Sequence, residues 1–190
     1  MATVLLFHHA LGQTTGFRAF ADELRSAGHT VHTPDLFDGK TFDILDDGVG
    51  YAKQVGFPQL MERGAEAADK LPADIVYAGF SLGVVPAQAL TQTRPGARGA
   101  LFYYSCLPPS EFDAPWPAGV PLQVHMMEDD PWVEEDRPAA EALVKEIDDG
   151  DLFLYPGSGH LFADSSVDDY DEKAAGLLKE RTLSFLNRVG

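Results

Sequence analysis

The sequence predicts a single α/β domain built on a mostly parallel sheet of about six strands, with helices on both faces. Three observations carry that expectation. Short apolar runs alternate with amphipathic segments from one end of the chain to the other. Several of the runs are continuously apolar rather than alternating, as strands covered on both faces must be. At 190 residues, with no internal repeat and no linker-like stretch, the chain suits one domain, 1–190, with one full core.

The strands are expected at Thr3–His8, Thr30–Thr33, Asp74–Ala78, Gly99–Tyr104, Leu122–Met126 and Leu152–Tyr155. Between the first two, Phe17, Phe20, Ala21 and Leu24 fall on one stripe of a helix, and Gly28 follows as its stop. Near the C-terminus Leu178, Thr182, Phe185 and Val189 repeat the stripe. Two segments break the rhythm. Asp35 to Phe57 is rich in Asp, Gly and Phe with weak periodicity, and Leu107 to Pro121 carries five prolines. Each follows a predicted strand, at the end of the sheet where binding crevices form, so each is a candidate roof over a site.

Charge narrows the function classes. Thirty acidic against 14 basic side chains give a net charge of −16, a field that repels phosphate backbones and anionic lipid. Neither a nucleic-acid nor a membrane partner is expected. No apolar run approaches the ~18 residues of a membrane span. The N-terminus has no basic stretch ahead of its apolar one, so it does not read as a signal peptide. A lone cysteine, Cys106, fits a reducing compartment, and the expected location is the cytoplasm.

Gly79-Phe80-Ser81-Leu82-Gly83 is the sharpest chemical signal. A G-x-S-x-G pattern alone is weak. Here a strand-like run precedes it and a helix-like run follows it, which is the setting of a nucleophile elbow. The turn forces Ser81 into strained geometry and presents its hydroxyl at a helix N-terminus. A serine needs a base, because its free hydroxyl is scarcely ionised near neutral pH. The order expected after an elbow is serine, acid, histidine. Of the histidines, only His125 and His160 follow Ser81. His125 lies inside a predicted strand, whereas His160 sits in a glycine-rich loop just beyond the last one, so His160 is the expected base. Its orienting carboxylate comes from Glu128, Asp129 or Asp130. Asp130 is favoured because Pro131 restricts its backbone and Val133 can pack back into the core.

The oxyanion donors should be the N–H of Leu82 and one from the loop His8 to Gly12, with Ala10 preferred and Leu11 its rival. Adjacent His8 and His9 suggest a metal, but neighbouring strand residues face opposite ways and no further ligand motif completes a site. Neither metal nor cofactor is expected.

The stretches VLLFHHALG, HTVHTPDLFDG, GFSLG, HMMEDDPWV and YPGSGHLFAD occur in the order and spacing of the dienelactone hydrolase family, and the chain resembles that family over nearly its whole length. The resemblance implies the α/β-hydrolase fold. It also supports Asp130, since the family's acid begins a D-x-x-V segment, here Asp130 to Val133. Two positions depart from the family members that act on dienelactone. Those carry cysteine where this chain has Ser81, and arginine four residues after the histidine, where this chain has Asp164. An acidic Asp164 disfavours an anionic substrate and points to a neutral or cationic small ester, lactone or thioester. Pocket candidates are Leu11, Trp132, Phe162 and Asp164. Two other functions share the same residues: a catalytically silent binding protein of this fold, and an acyltransferase. The sequence allows a homo-oligomer and does not fix the oligomeric state.

Overall fold

The structure, a computed structural model, describes residues 1–190. Its centre is a six-stranded sheet of β1 (Thr3–Phe7), β2 (Thr30–His32), β3 (Val76–Phe80), β4 (Gly99–Tyr103), β5 (Leu122–Met127) and β6 (Gly150–Tyr155). The strand order is β2-β1-β3-β4-β5-β6 and every pairing is parallel. The order reverses between β1 and β3. In sheets of this kind the loops leaving two such strands diverge and open a crevice.

Side-chain alternation explains the two layers. Val4 and Leu6 of β1 enter one core with Phe17, Phe20 and Leu24 of α1 (Thr15–Ser26) and with Leu178 and Phe185 of α6 (Glu172–Val189). Leu5 and Phe7 point the opposite way. They enter the other core, shared with Leu60 of α3 (Phe57–Ala68), Val84 of α4 (Val84–Thr93) and Leu143 of α5 (Arg137–Glu146). Burying a side chain such as Phe17 is worth about 1.5–3 kcal/mol, so either stripe alone anchors its helix. The Thr14 hydroxyl accepts from Phe17 N to start α1, and Gly28, at φ +96°, takes the left-handed turn that ends it.

Three expectations need correction. β3 runs Val76–Phe80, two residues later than expected, so Gly79 and Phe80 belong to the strand itself. The segment 35–57 is not irregular throughout, since α2 (Leu45–Val55) lies within it. The proline-rich stretch 107–121 has only a short turn at Pro109–Glu111 and is stitched to α4. Gln88 donates to Leu107 O at 2.7 Å and Gln92 donates to Pro109 O at 3.1 Å. These bonds brace the stretch against that helix.

Candidate active site

Ser81 follows the last residue of β3 at φ +50°, a left-handed conformation costly for any side chain but glycine. Close packing on both sides holds it there. A Cβ on Gly79 would sit 2.2 Å from Gly83 O, and one on Gly83 would sit 2.5 Å from Phe7 O. The two elbow glycines thus permit the tight turn and press it against the end of β1. The turn Ser81–Gly83 leads straight into α4.

His160 and Asp130 come to this serine from the far side of the sheet. Asp130 lies just beyond β5 and His160 just beyond β6. His160 Nε2 stands 2.8 Å from Ser81 Oγ, and Nδ1 stands 2.6 Å from Asp130 Oδ2. An ionised carboxylate only accepts hydrogen bonds. Nδ1 therefore carries the proton shared with Asp130, and Nε2 offers its lone pair to the hydroxyl. Asp130 is buried, and its second oxygen accepts from Trp132 N at 2.9 Å. Glu128 and Asp129 are exposed, and their N–H groups pair with Tyr155 O and Gly157 O. Of the three acidic neighbours, Asp130 is the one turned to the imidazole.

Other residues hold the histidine loop. His160 N donates to Asp169 Oδ2 at 3.0 Å, and the Tyr104 ring packs 5.8 Å from the imidazole. Tyr104 itself sits at φ +69°, and its hydroxyl accepts from Ala163 N. Neither Asp169 nor Tyr104 stands out in the sequence. Asp169 falls in an acidic turn and Tyr104 ends an apolar strand, and nothing in either pattern marks a partner of His160.

The loop after β1 faces the elbow. Ala10 N meets no acceptor in the protein, whereas Leu11 N donates to His9 Nδ1 at 3.2 Å. Helix α2 fixes this loop from outside, because a Cβ on Gly48 would sit 2.0 Å from Ala10 O. Phe42 N also donates to Leu11 O at 3.0 Å. His8 and His9 do not share a ligand. His8 Nδ1 donates to His9 O at 2.8 Å and Nε2 accepts from Leu36 N at 2.9 Å. Burial pushes the His8 pKa down to about 4, against raising contributions from the His9 carbonyl and Asp35.

The pocket candidates divide. Trp132 is 46% exposed with its ring 5.7 Å from the His160 ring, at the mouth of the site. Phe162 is fully buried between Tyr104 and Tyr155, so it is core and not pocket wall. Asp164 is also misassigned as a pocket residue, since its side chain has no exposure at all. It accepts from His9 Nε2 at 2.7 Å, from Ser166 N and Oγ, and from the Thr14 hydroxyl. Burial alone would raise its pKa; those hydrogen bonds outweigh it and hold the carboxyl at about 2. Leu11 contributes to the wall of a cavity of about 770 Å³ that adjoins the serine–histidine pair without containing it. Leu11 and Leu161 form its inner wall, and Arg18, Asp43, Asp168 and Asp169 line its sides.

Comparison with known proteins follows the same lines. A dienelactone hydrolase-like promiscuous phosphotriesterase from metagenomic libraries superposes with a TM-score of 0.75 at 18% identity, covering 100% of this chain and 87% of that one. A dienelactone hydrolase from Anabaena variabilis gives 0.69 at 14% identity, covering 99% and 86%. Esterase 2 of Thermogutta terrifontis, solved phosphonylated by cyclosarin, gives 0.63 at 18% identity, covering 100% and 83%. At such identities the likeness concerns the fold. No curated protein sequence matches. The model of the dienelactone hydrolase family matches residues 1–190, and the chain belongs to that family.

Proposed function

We propose that the protein is a serine-dependent hydrolase of a small carboxylic ester, lactone or thioester, working through an acyl-enzyme on Ser81. Family membership supports a hydrolase. The observation that carries the finer reading is the unbroken relay Ser81 Oγ, His160 Nε2, His160 Nδ1, Asp130 Oδ2, with links of 2.8 and 2.6 Å.

The chemistry follows from who holds which proton. His160 takes the hydroxyl proton as Ser81 Oγ bonds to the substrate carbonyl carbon, and the carbonyl π pair moves onto oxygen. The N–H groups of Leu82 and Ala10 stabilise that oxyanion, and the free Ala10 N–H supports its choice over Leu11. As the tetrahedral centre collapses, the bond to the leaving group breaks and His160 returns the proton to it. Water then repeats the sequence on the acyl-enzyme, giving its proton to His160 and restoring Ser81. Asp130 holds the imidazole in the needed tautomer and stabilises the cation that forms twice per turnover.

Substrate charge is read from the adjoining cavity. Three acidic residues, Asp43, Asp168 and Asp169, and one basic residue, Arg18, line it. That balance favours a neutral or cationic substrate over an anionic one, and here Asp43 supplies the argument that Asp164 cannot. The test is hydrolysis of a matched series of neutral, cationic and anionic p-nitrophenyl esters. Neutral and cationic members are expected to turn over faster, and preference for the anionic ester contradicts the substrate reading. Adding a competing alcohol separates hydrolase from acyltransferase: free acid as the main product supports hydrolysis, and a new ester supports transfer.

A further inference from the structure

We propose that His9 is a positioning residue that selects which backbone N–H receives the oxyanion, by engaging Leu11 N–H and leaving Ala10 N–H free. The proposal rests on the hydrolase reading above.

The geometry starts with the ring's two nitrogens. His9 Nε2 lies 2.7 Å from Asp164 Oδ2, and Leu11 N donates to Nδ1 at 3.2 Å. A carboxylate only accepts and a backbone N–H only donates. Both neighbours therefore dictate one form of the ring: neutral, with its proton on Nε2 and a lone pair on Nδ1. That lone pair faces the one competitor of Ala10 in its own loop. With Leu11 N–H engaged and Gly12 N–H donating to His9 O at 3.0 Å, Ala10 N–H is, of the three amides that follow His9, the one without an acceptor.

Asp164 is itself immobilised. Thr14, Ser166 N and Ser166 Oγ donate to it, and a Cβ on Gly16 would fall 1.8 Å from its Oδ1. Thr14 Oγ1 in turn accepts from Phe17 N at the start of α1. Asp164 N donates to Leu161 O at 2.9 Å, one residue beyond His160. The pair thus fastens the oxyanion loop to the loop that carries the base, and edge contacts with Phe17 and Phe80 fix the ring plane. A misplacement of about 1 Å at a reacting group can cost on the order of 100-fold in rate, so such a brace matters to chemistry as well as to folding.

Two variants that remove the same ring separate these roles. Asparagine at position 9 puts an amide oxygen near the place of Nδ1 and keeps an acceptor for Leu11 N–H. Glutamine puts its amide nearer Nε2, keeping a donor to Asp164 and losing the Leu11 acceptor. His9→Gln is expected to fall in kcat on a neutral p-nitrophenyl ester by about ten-fold or more relative to His9→Asn, with KM nearly unchanged in both. Amide hydrogen exchange of the resting proteins gives a readout independent of turnover: Leu11 N–H should be protected in wild type and His9→Asn and exchange faster in His9→Gln. Equal kcat in the two variants, or a Leu11 amide unprotected in the wild type, overturns the proposal while leaving the hydrolase reading intact. A wild-type protein inert toward every ester overturns the hydrolase reading and the oxyanion role with it.

Discussion

Two histidine–aspartate pairs stand at the same rim of the sheet, alike in chemistry and opposite in orientation. His160 turns Nδ1 to Asp130 and leaves Nε2 for the Ser81 hydroxyl. His9 turns Nε2 to Asp164 and leaves Nδ1 for the Leu11 amide. In both, a buried carboxylate fixes the tautomer. What differs is the group at the free nitrogen. A hydroxyl can surrender its proton as its oxygen attacks carbon, so the first pair can act as a base. A backbone amide cannot surrender its proton in this way, so the second pair can only hold. A buried His–Asp contact is therefore no signature of catalysis until the third partner is known.

The largest effect expected is from Ser81→Ala. Removing the hydroxyl at the first pair should lower kcat by about 10⁵-fold or more, with the melting temperature nearly unchanged. Near-normal turnover by this variant would move the nucleophile elsewhere. Asp130→Asn keeps the shape but no longer enforces the Nδ1–H tautomer, and a loss of about 10⁴ in kcat is expected. Asp164→Asn makes the matching change in the second pair. There the expected loss is about ten- to hundred-fold in kcat, through loop displacement, together with about 3 kcal/mol of stability from a disturbed buried network. If Asp164→Asn matched Asp130→Asn in kcat at full stability, the contrast between the pairs would collapse. Trp132→Ala, at the exposed mouth, should change KM a few-fold and leave kcat close to wild type, measured on the same esters.

Acid sharpens the contrast through folding. Burial lowers His8 to about 4 and His125 to about 3 from an ordinary 6.5. The unfolded chain therefore binds more protons than the folded one below about 6.5, and stability should fall as pH drops through that window toward 4 and then 3. Asp164, held at about 2 against 3.8 by its hydrogen bonds, adds a further loss only below about pH 4. Urea unfolding between pH 7 and pH 3 reads both. His125→Phe should roughly halve the slope between about pH 6.5 and 4, where His8 still contributes, and remove the histidine part of the decline between 4 and 3; an unchanged slope in that variant would remove His125 from the account.

How much of this was legible in the sequence depends on how local each feature is. The elbow was legible because strand, turn and helix are contiguous, and G-x-S-x-G concentrates its steric demands in five residues. The sequence pattern ends β3 two residues early because Gly79 and Phe80 read as part of the turn, although both pair with β4 in the sheet. Helix α2 left almost no trace. Its N-cap residue, Ile44, has no side chain that can cap it, and its buried residues are only Gly48 and Ala52, too small to mark an apolar stripe. Gly48 is there for its contact with Ala10 O, a constraint from 38 positions away that composition does not express. Asp164 was visible as a residue but not in its direction. The donors that draw it inward include His9 and Thr14, 155 and 150 positions distant. Side chains placed by local turns were readable, and those placed by distant partners were not.

The most direct measurement is intact-mass and peptide analysis of the folded protein after brief exposure to a fluorophosphonate, in wild type and in His160→Ala. A serine hydroxyl activated by an imidazole attacks such an electrophilic phosphorus, which an unactivated serine does only slowly. The expected result is one adduct per chain on the Ser81 peptide of the wild type, formed at least 100-fold more slowly without the imidazole. An unlabelled wild-type protein, or an adduct that forms equally fast in both, would contradict a nucleophile activated by His160.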